Sequence, residues 1–233
     1  MSTEHDDRAP DPGTRATGGR DGVASQRGNT IEWEVQRTEI FSDGVMAIGL
    51  TLLVLDLSVH GYRDSNLATT IISQWPTYVA FFMSFVYVAV MWMNHHAAFN
   101  RLRATSFALL WANMGILLGA VVLSYPTGVL AEAFQTGNVA DERSAIVLYG
   151  TLALLMGLSW TAFFFVVSRH PMLWKFEGDR QRWRTVTTWA TFGALGYLVA
   201  IAAGLLIHPW VALIGFVVLL VYRSTQARRI SRP

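Results

Sequence analysis

A chain of 233 residues that is 52% hydrophobic and only 15% charged, with nine Trp and thirteen Phe, lacks the surface of a water-soluble domain, which carries roughly 25% charged residues. The net charge of +2 is too small to say much about partners, and no nucleic-acid partner is expected. The absence of cysteine excludes disulfides, thiolate redox chemistry and cysteine-ligated metal sites.

Residues 1–30 hold Gly, Pro, Asp, Arg and Thr and almost no apolar side chain. Such a segment cannot bury enough surface to offset its ordering entropy, so a disordered tail is expected there. It lacks the apolar core of a signal peptide. The chain then becomes strongly apolar. A bilayer core of about 30 Å needs about 20 helical residues, and five runs reach that length. They are 40–59, 71–93, 106–125, 145–168 and 186–207. A sixth, 210–222, is short, and is expected to tilt little, to thin the bilayer locally, or to rely on Arg223 snorkelling to the headgroups. "HP" before it predicts a tight helical hairpin with Pro209 in the first turn of the new helix. The expected organisation is a tail over 1–30, a six-helix domain over 31–223 and a short basic tail over 224–233.

The basic residues orient these spans. Of eighteen Lys and Arg, sixteen fall in the N-terminal flank, the 94–105 and 169–185 loops and the C-terminus. Only two, Arg63 and Arg143, fall in the alternate loops. The positive-inside rule then predicts six spans, an even number, with both termini cytoplasmic. The fold class is an all-α membrane protein, and the expected location is the plasma membrane. Gly115 with Gly119, and Gly196 with Ala200 and Gly204, place small residues four apart, a spacing that lets helices pack closely in lipid.

Polar side chains inside apolar runs are costly, so they carry the information. Asp43 and Asp56 lie in the first run, Asn94, His95 and His96 close the second, and Asn113 is inside the third. Ser42 and Asp43 suit a helix N-cap. That reading leaves Arg37 without a role, and it leaves Trp92, His95 and His96 at the same level without one. Because the second run returns to the side on which the first began, a cluster of Arg37, Ser42, Asp43 and a histidine is possible, with Asn113 near its deeper edge. His95 and His96 also suit an interfacial pair, and Asp56 is expected at the outer interface. Adjacent helical residues point about 100° apart, so a two-histidine metal site is not expected. Ile48, Leu52 and Leu55 form a stripe at i, i+4 and i+7, with Thr51 beside it, which by itself reads as packing.

"RTEIFSDGVMAI", with Arg37, Phe41, Ser42 and Asp43, resembles the Arg-x-x-x-Phe-Ser-Asp signature of the transmembrane protein 175 family of potassium channels. "MWMNHHAAF", "LLWANMGILL" and "SYPTGVL" extend the likeness, which covers the six-helix layout from about residue 31. The resemblance implies a single-repeat subunit that forms a homotetramer, with the first helix of each copy lining a central pore for potassium ions. It implies a constriction of apolar rings at Ile48, Leu52 and Leu55, a hydroxyl layer at Thr51, and no carbonyl filter. It further implies that Arg37, Phe41, Ser42 and Asp43 anchor that helix through Trp92, His95 or His96, and Asn113. No cofactor and no resident metal are implied; the partners are potassium ions, the lipid bilayer and further copies of the chain. The alternative reading is a proton- or ion-coupled transporter using Asp43 with His95 or His96. No nucleophile–base spacing of an enzyme is present, and no helix carries the repeated arginines of a voltage sensor.

Overall fold

The computed structural model of the protein describes residues 18–57, 67–177 and 179–231. The described residues form helices α1 (Gly18–Leu52), α2 (Leu67–Ser73), α3 (Trp75–Phe99), α4 (Phe107–Val122), α5 (Ser124–Thr136), α6 (Val139–Arg169), α7 (Arg180–Leu206) and α8 (Pro209–Ser231). Short 3-10 turns follow α1, at Leu53–Leu57, and α6, at Pro171–Leu173. Among the described residues, six stretches are long and apolar enough to cross a bilayer: Glu34–Leu55, Trp75–Phe99, Phe107–Thr136, Val139–Arg169, Arg180–Leu206 and Pro209–Gln226.

Helix ends follow local chemistry. Ser106, in extended backbone, caps α4 by accepting the Leu109 N–H at 3.2 Å. Pro126 has no N–H to give Val122 and its ring crowds that carbonyl, so α4 closes there and the span resumes as α5. Gly137, at φ 68°, ends α5, and Asn138 caps α6 by accepting the Ala140 N–H at 3.0 Å.

Two ends differ from the sequence expectation. The backbone is already helical from Gly18, inside the stretch read as a tail; residues 1–17 of that tail lie outside the described residues. Ser42 and Asp43 therefore sit within α1 and are not its N-cap. The sixth span, Pro209–Gln226, is the shortest of the six, but its helix α8 runs on to Ser231, and Arg223 is turned inward rather than snorkelling.

α6 is the central post, packed against α4, α5, α7 and α8. Trp160, Phe163 and Phe164 on α6 interlock with Phe99 and Trp183, with ring centroids 5.1–6.2 Å apart. In lipid, helices gain little from hiding apolar area, so close packing carries the association. The small-residue rows supply it. Gly119 of α4 faces Met156 of α6, while Gly196, Ala200 and Gly204 of α7 face Leu219, Gly215 and Ala212 of α8. A β-carbon at Gly119 would stand 2.9 Å from Met156 Cε. Gly119→Val is therefore expected to cost about 1–3 kcal/mol through overpacking, read as a lower thermal midpoint in detergent. Gly44→Ala, where nothing lies within 4 Å of the added carbon, is not expected to lower it.

One end of the bundle is tied together across the chain. The loop after α3 pairs with the loop after α6 through Arg103 N–H to Leu173 O at 3.0 Å and Lys175 N–H to Arg101 O at 2.9 Å. Arg101 bonds Asp179 at 3.2 Å and, with Arg182, donates to Ile230 O in α8. The two basic loops and the end of α8 thus share one end, as an even number of spans requires. At the opposite end Trp75 and Trp210 stack at 6.1 Å, with Phe134 edge-on to Trp210 at 5.1 Å, an aromatic belt suited to a membrane interface.

Candidate functional site: the first helix and its anchor

α1 packs only against α3 and α4 and the 3-10 turn that follows it, apart from weaker contacts. Val35, Ser42, Met46 and Gly49 form its buried row, continued by Leu53 in the 3-10 turn. The remainder of the helix is open. Its spanning window is 22% buried, the least of the six, so a broad apolar face awaits a covering. Ile48 is 58% and Leu55 67% exposed on that face. Thr51 is exposed and Leu52 half-buried. The Thr51 hydroxyl donates to Ile48 O at 2.7 Å, and its oxygen keeps acceptor capacity. Leu55 lies in the 3-10 turn, so the stripe tightens there instead of continuing as α-helix.

The buried row is anchored by polar bonds. Ser42, His95 and Asn113 are each fully buried, and their bonds have a direction. The Ser42 hydroxyl donates to Thr38 O at 2.8 Å, so its oxygen accepts from Asn113 Nδ2 at 2.9 Å. The Asn113 carbonyl then faces His95 Nε2 at 3.0 Å, which must carry the proton. His95 is thereby set as the Nε2–H tautomer. Phe99 holds its ring flat at 4.2 Å, and Trp160 meets it edge-on. Three helices, α1, α3 and α4, meet through one chain of bonds.

A second, more exposed set lies beside it. Trp92 Nε1 donates to Asp43 Oδ1 at 3.0 Å, and Glu39 Oε1 pairs with His96 Nδ1 at 3.0 Å. Trp92 and His96 stack at 5.9 Å, and Asn100 closes the row against His96 Nε2. Glu39 and Asp43 are four apart on α1, and Trp92 and His96 are four apart on α3. Because the helices run antiparallel, the early residue of one row meets the late residue of the other. Sequence reading missed Glu39, although this spacing marks it. The histidine question is resolved by division: His95 joins Asn113 and His96 joins Glu39.

Arg37 and Phe41 stand apart from this network. Both are exposed and line a cleft with Glu34, Thr38, Thr105, Leu110 and Met114, and Arg37 makes no bond to the network among the described residues. The expected place of Arg37 beside Asp43 is corrected: five helical positions before Ser42, it points about 140° away from the buried row. The side chain of Asp56 lies outside the described residues.

An α-helical multi-pass membrane protein results, with one thinly covered apolar helix pinned to its neighbours by buried polar bonds. The profile of the endosomal/lysosomal potassium channel TMEM175 family matches residues 37–124. The chain is 30% identical to a potassium channel of Streptomyces collinus over 76% of this chain and 85% of that one. It superposes on the crystal structure of a lysosomal potassium-selective channel TMEM175 homolog from Chamaesiphon minutus with a TM-score of 0.74, at 31% identity, covering 84% of this chain and 99% of the other. A human relative named an endosomal/lysosomal proton channel, TMEM175, is 30% identical over 53% of this chain and 26% of its own length. The chain belongs to the TMEM175 family, a family of ion channels and not of enzymes.

Proposed function

We propose that this chain is a potassium-permeable cation channel, passive in conduction, in which four copies gather with their α1 helices around a shared axis. The observation that carries the reading is the unpaired face of α1: large apolar side chains at Ile48 and Leu55 left bare on a helix whose other face is rigidly bonded. Ile48, Leu52 and Leu55 form successive apolar rings, with the Thr51 hydroxyls between them. A narrow apolar passage excludes water and costs an ion its hydration, so small changes in radius switch conduction. Ser42, Asp43, Trp92, His95, His96 and Asn113 do not touch the ion; they fix where α1 stands and hence the radius at Ile48. The names of the bacterial relatives support potassium as the permeant ion. The charge distribution supports both termini in the cytoplasm, and the plasma membrane is the proposed location.

The test is reconstitution of the purified protein in liposomes under a potassium gradient. The reading expects dye-reported potassium efflux that runs down the gradient without any coupled substrate. Flux that appears only with an imposed proton gradient would instead indicate the coupled transporter built on Asp43 and His95 or His96. Proton current without potassium current would indicate the selectivity named for the human relative.

A further inference from the structure

Arg223 ends the apolar part of α8, and it is 1% exposed. Its Nε, Nη1 and Nη2 have no hydrogen-bond partner among the described residues. Its backbone carbonyl accepts from Asn94 Nδ2 at 3.2 Å, which binds this turn of α8 to α3. The guanidinium rests on two glycines. A β-carbon at Gly157 of α6 would stand 2.7 Å from Nη2, and one at Gly193 of α7 would stand 3.1 Å from Nε. Two helices thus give up their side chains to make room for one cation.

The surroundings are rich in donors. Tyr87 of α3 and Tyr197 of α7 meet edge-to-face at 6.4 Å, and Arg223 is the charged neighbour of both. The two hydroxyls face each other, and apart from each other neither has a hydrogen-bond partner among the described residues, nor has Gln226 Nε2, one turn further along α8. The unpartnered acceptor beside them, Asn94 Oδ1, is neutral. Asp179 is held by Arg101 and Arg182. An arginine cannot shed its proton, and a buried charge without a counter-charge is strongly disfavoured in a membrane protein. Water would accept the N–H groups but would leave the charge unmet.

We propose that Arg223, with the Tyr87 and Tyr197 hydroxyls, forms a buried seat for a small monovalent anion of the halide class. The guanidinium supplies charge-assisted N–H donors, the tyrosine O–H left free by the contact between the two hydroxyls adds another, and the ion neutralises the arginine. The site belongs to the helix bundle behind α1 and stands independently of how α1 conducts.

The test uses the full chain in detergent at constant potassium concentration, with chloride exchanged for gluconate, an anion far bulkier than a halide. The thermal midpoint is expected to fall by about 4 °C in gluconate and to return saturably with chloride or bromide. Arg223→Gln is expected to make the midpoint indifferent to the anion. Should that variant fail to fold, Tyr197→Phe is expected to raise the half-saturating bromide concentration about tenfold. Crystals grown in bromide are expected to show an anomalous peak against the Arg223 guanidinium. Equal midpoints in chloride and gluconate, or crystals with no such peak, would overturn the proposal.

Discussion

Ile48→Asn is expected to raise potassium flux through the reconstituted protein about tenfold. A tenfold change corresponds to lowering the barrier by about 1.4 kcal/mol. The reason is local. Ile48 is 58% exposed on the open face of α1, opposite no residue of its own subunit. If four such side chains close a dry constriction, a carboxamide of similar length supplies hydrogen-bonding atoms that hold water and lower the dewetting cost. The fold is expected to survive, because the substitution touches none of the buried row at Val35, Ser42, Met46, Gly49 and Leu53. The same change at Leu158, which is 49% exposed on α6, should leave flux unaltered. Equal flux for wild type and Ile48→Asn would remove the constriction from Ile48.

Asn113→Ala is the second change with a large expected effect. It deletes the residue that accepts from His95 and donates to Ser42 across three helices. The His95 Nε2–H is left buried without an acceptor, at a cost of about 1–3 kcal/mol, and the lost side chain adds a small void. For a chain of this size that is a fall of roughly 2–12 °C in thermal midpoint. Flux should change as well, since α1 loses one of the bonds that set its position. A double-mutant cycle with Ser42→Ala should return a coupling of about 0.5–3 kcal/mol, because the two residues share one bond. Additive losses would mean that the Asn113–Ser42 bond carries no energy.

Much of this architecture was legible because the bilayer restricts the solutions. A run of about 20 apolar residues has one structured fate in lipid, so the six spans could be counted, and basic loops could be sorted by side. The anchor was partly legible for a related reason. Two helices joined by one connection must return side by side, so Arg37, Ser42 and Asp43 could be set at one level with Trp92 and a histidine, with Asn113 near the deeper edge, but not paired one with another. Helical rotation was the missing step. It turns Arg37 away from the Ser42 row, and it brings Glu39 to His96 by the same four-residue spacing that joins Asp43 to Trp92.

Arg223 was misread for a different reason. At the end of an apolar run an arginine ordinarily reaches for headgroups, and the sequence of α8 alone offers nothing else. What turns it inward is the paired absence of side chains at Gly157 and Gly193, on two other helices. Likewise, Ser42 and Asp43 looked like a cap because the apolar run starts beside them, whereas the backbone is already helical from Gly18, far ahead of the apolar run.

The lack of cysteine in the native chain makes one measurement decisive. A single Ile48→Cys variant, reconstituted in liposomes, carries only one thiol per subunit for silver ion to bind. If α1 lines a shared axial passage, silver should abolish potassium efflux in Ile48→Cys and leave wild type and Leu158→Cys unaffected. Efflux from Ile48→Cys that continues undiminished in silver, with the thiol shown to be intact and in the bilayer, would place Ile48 against lipid and contradict the account.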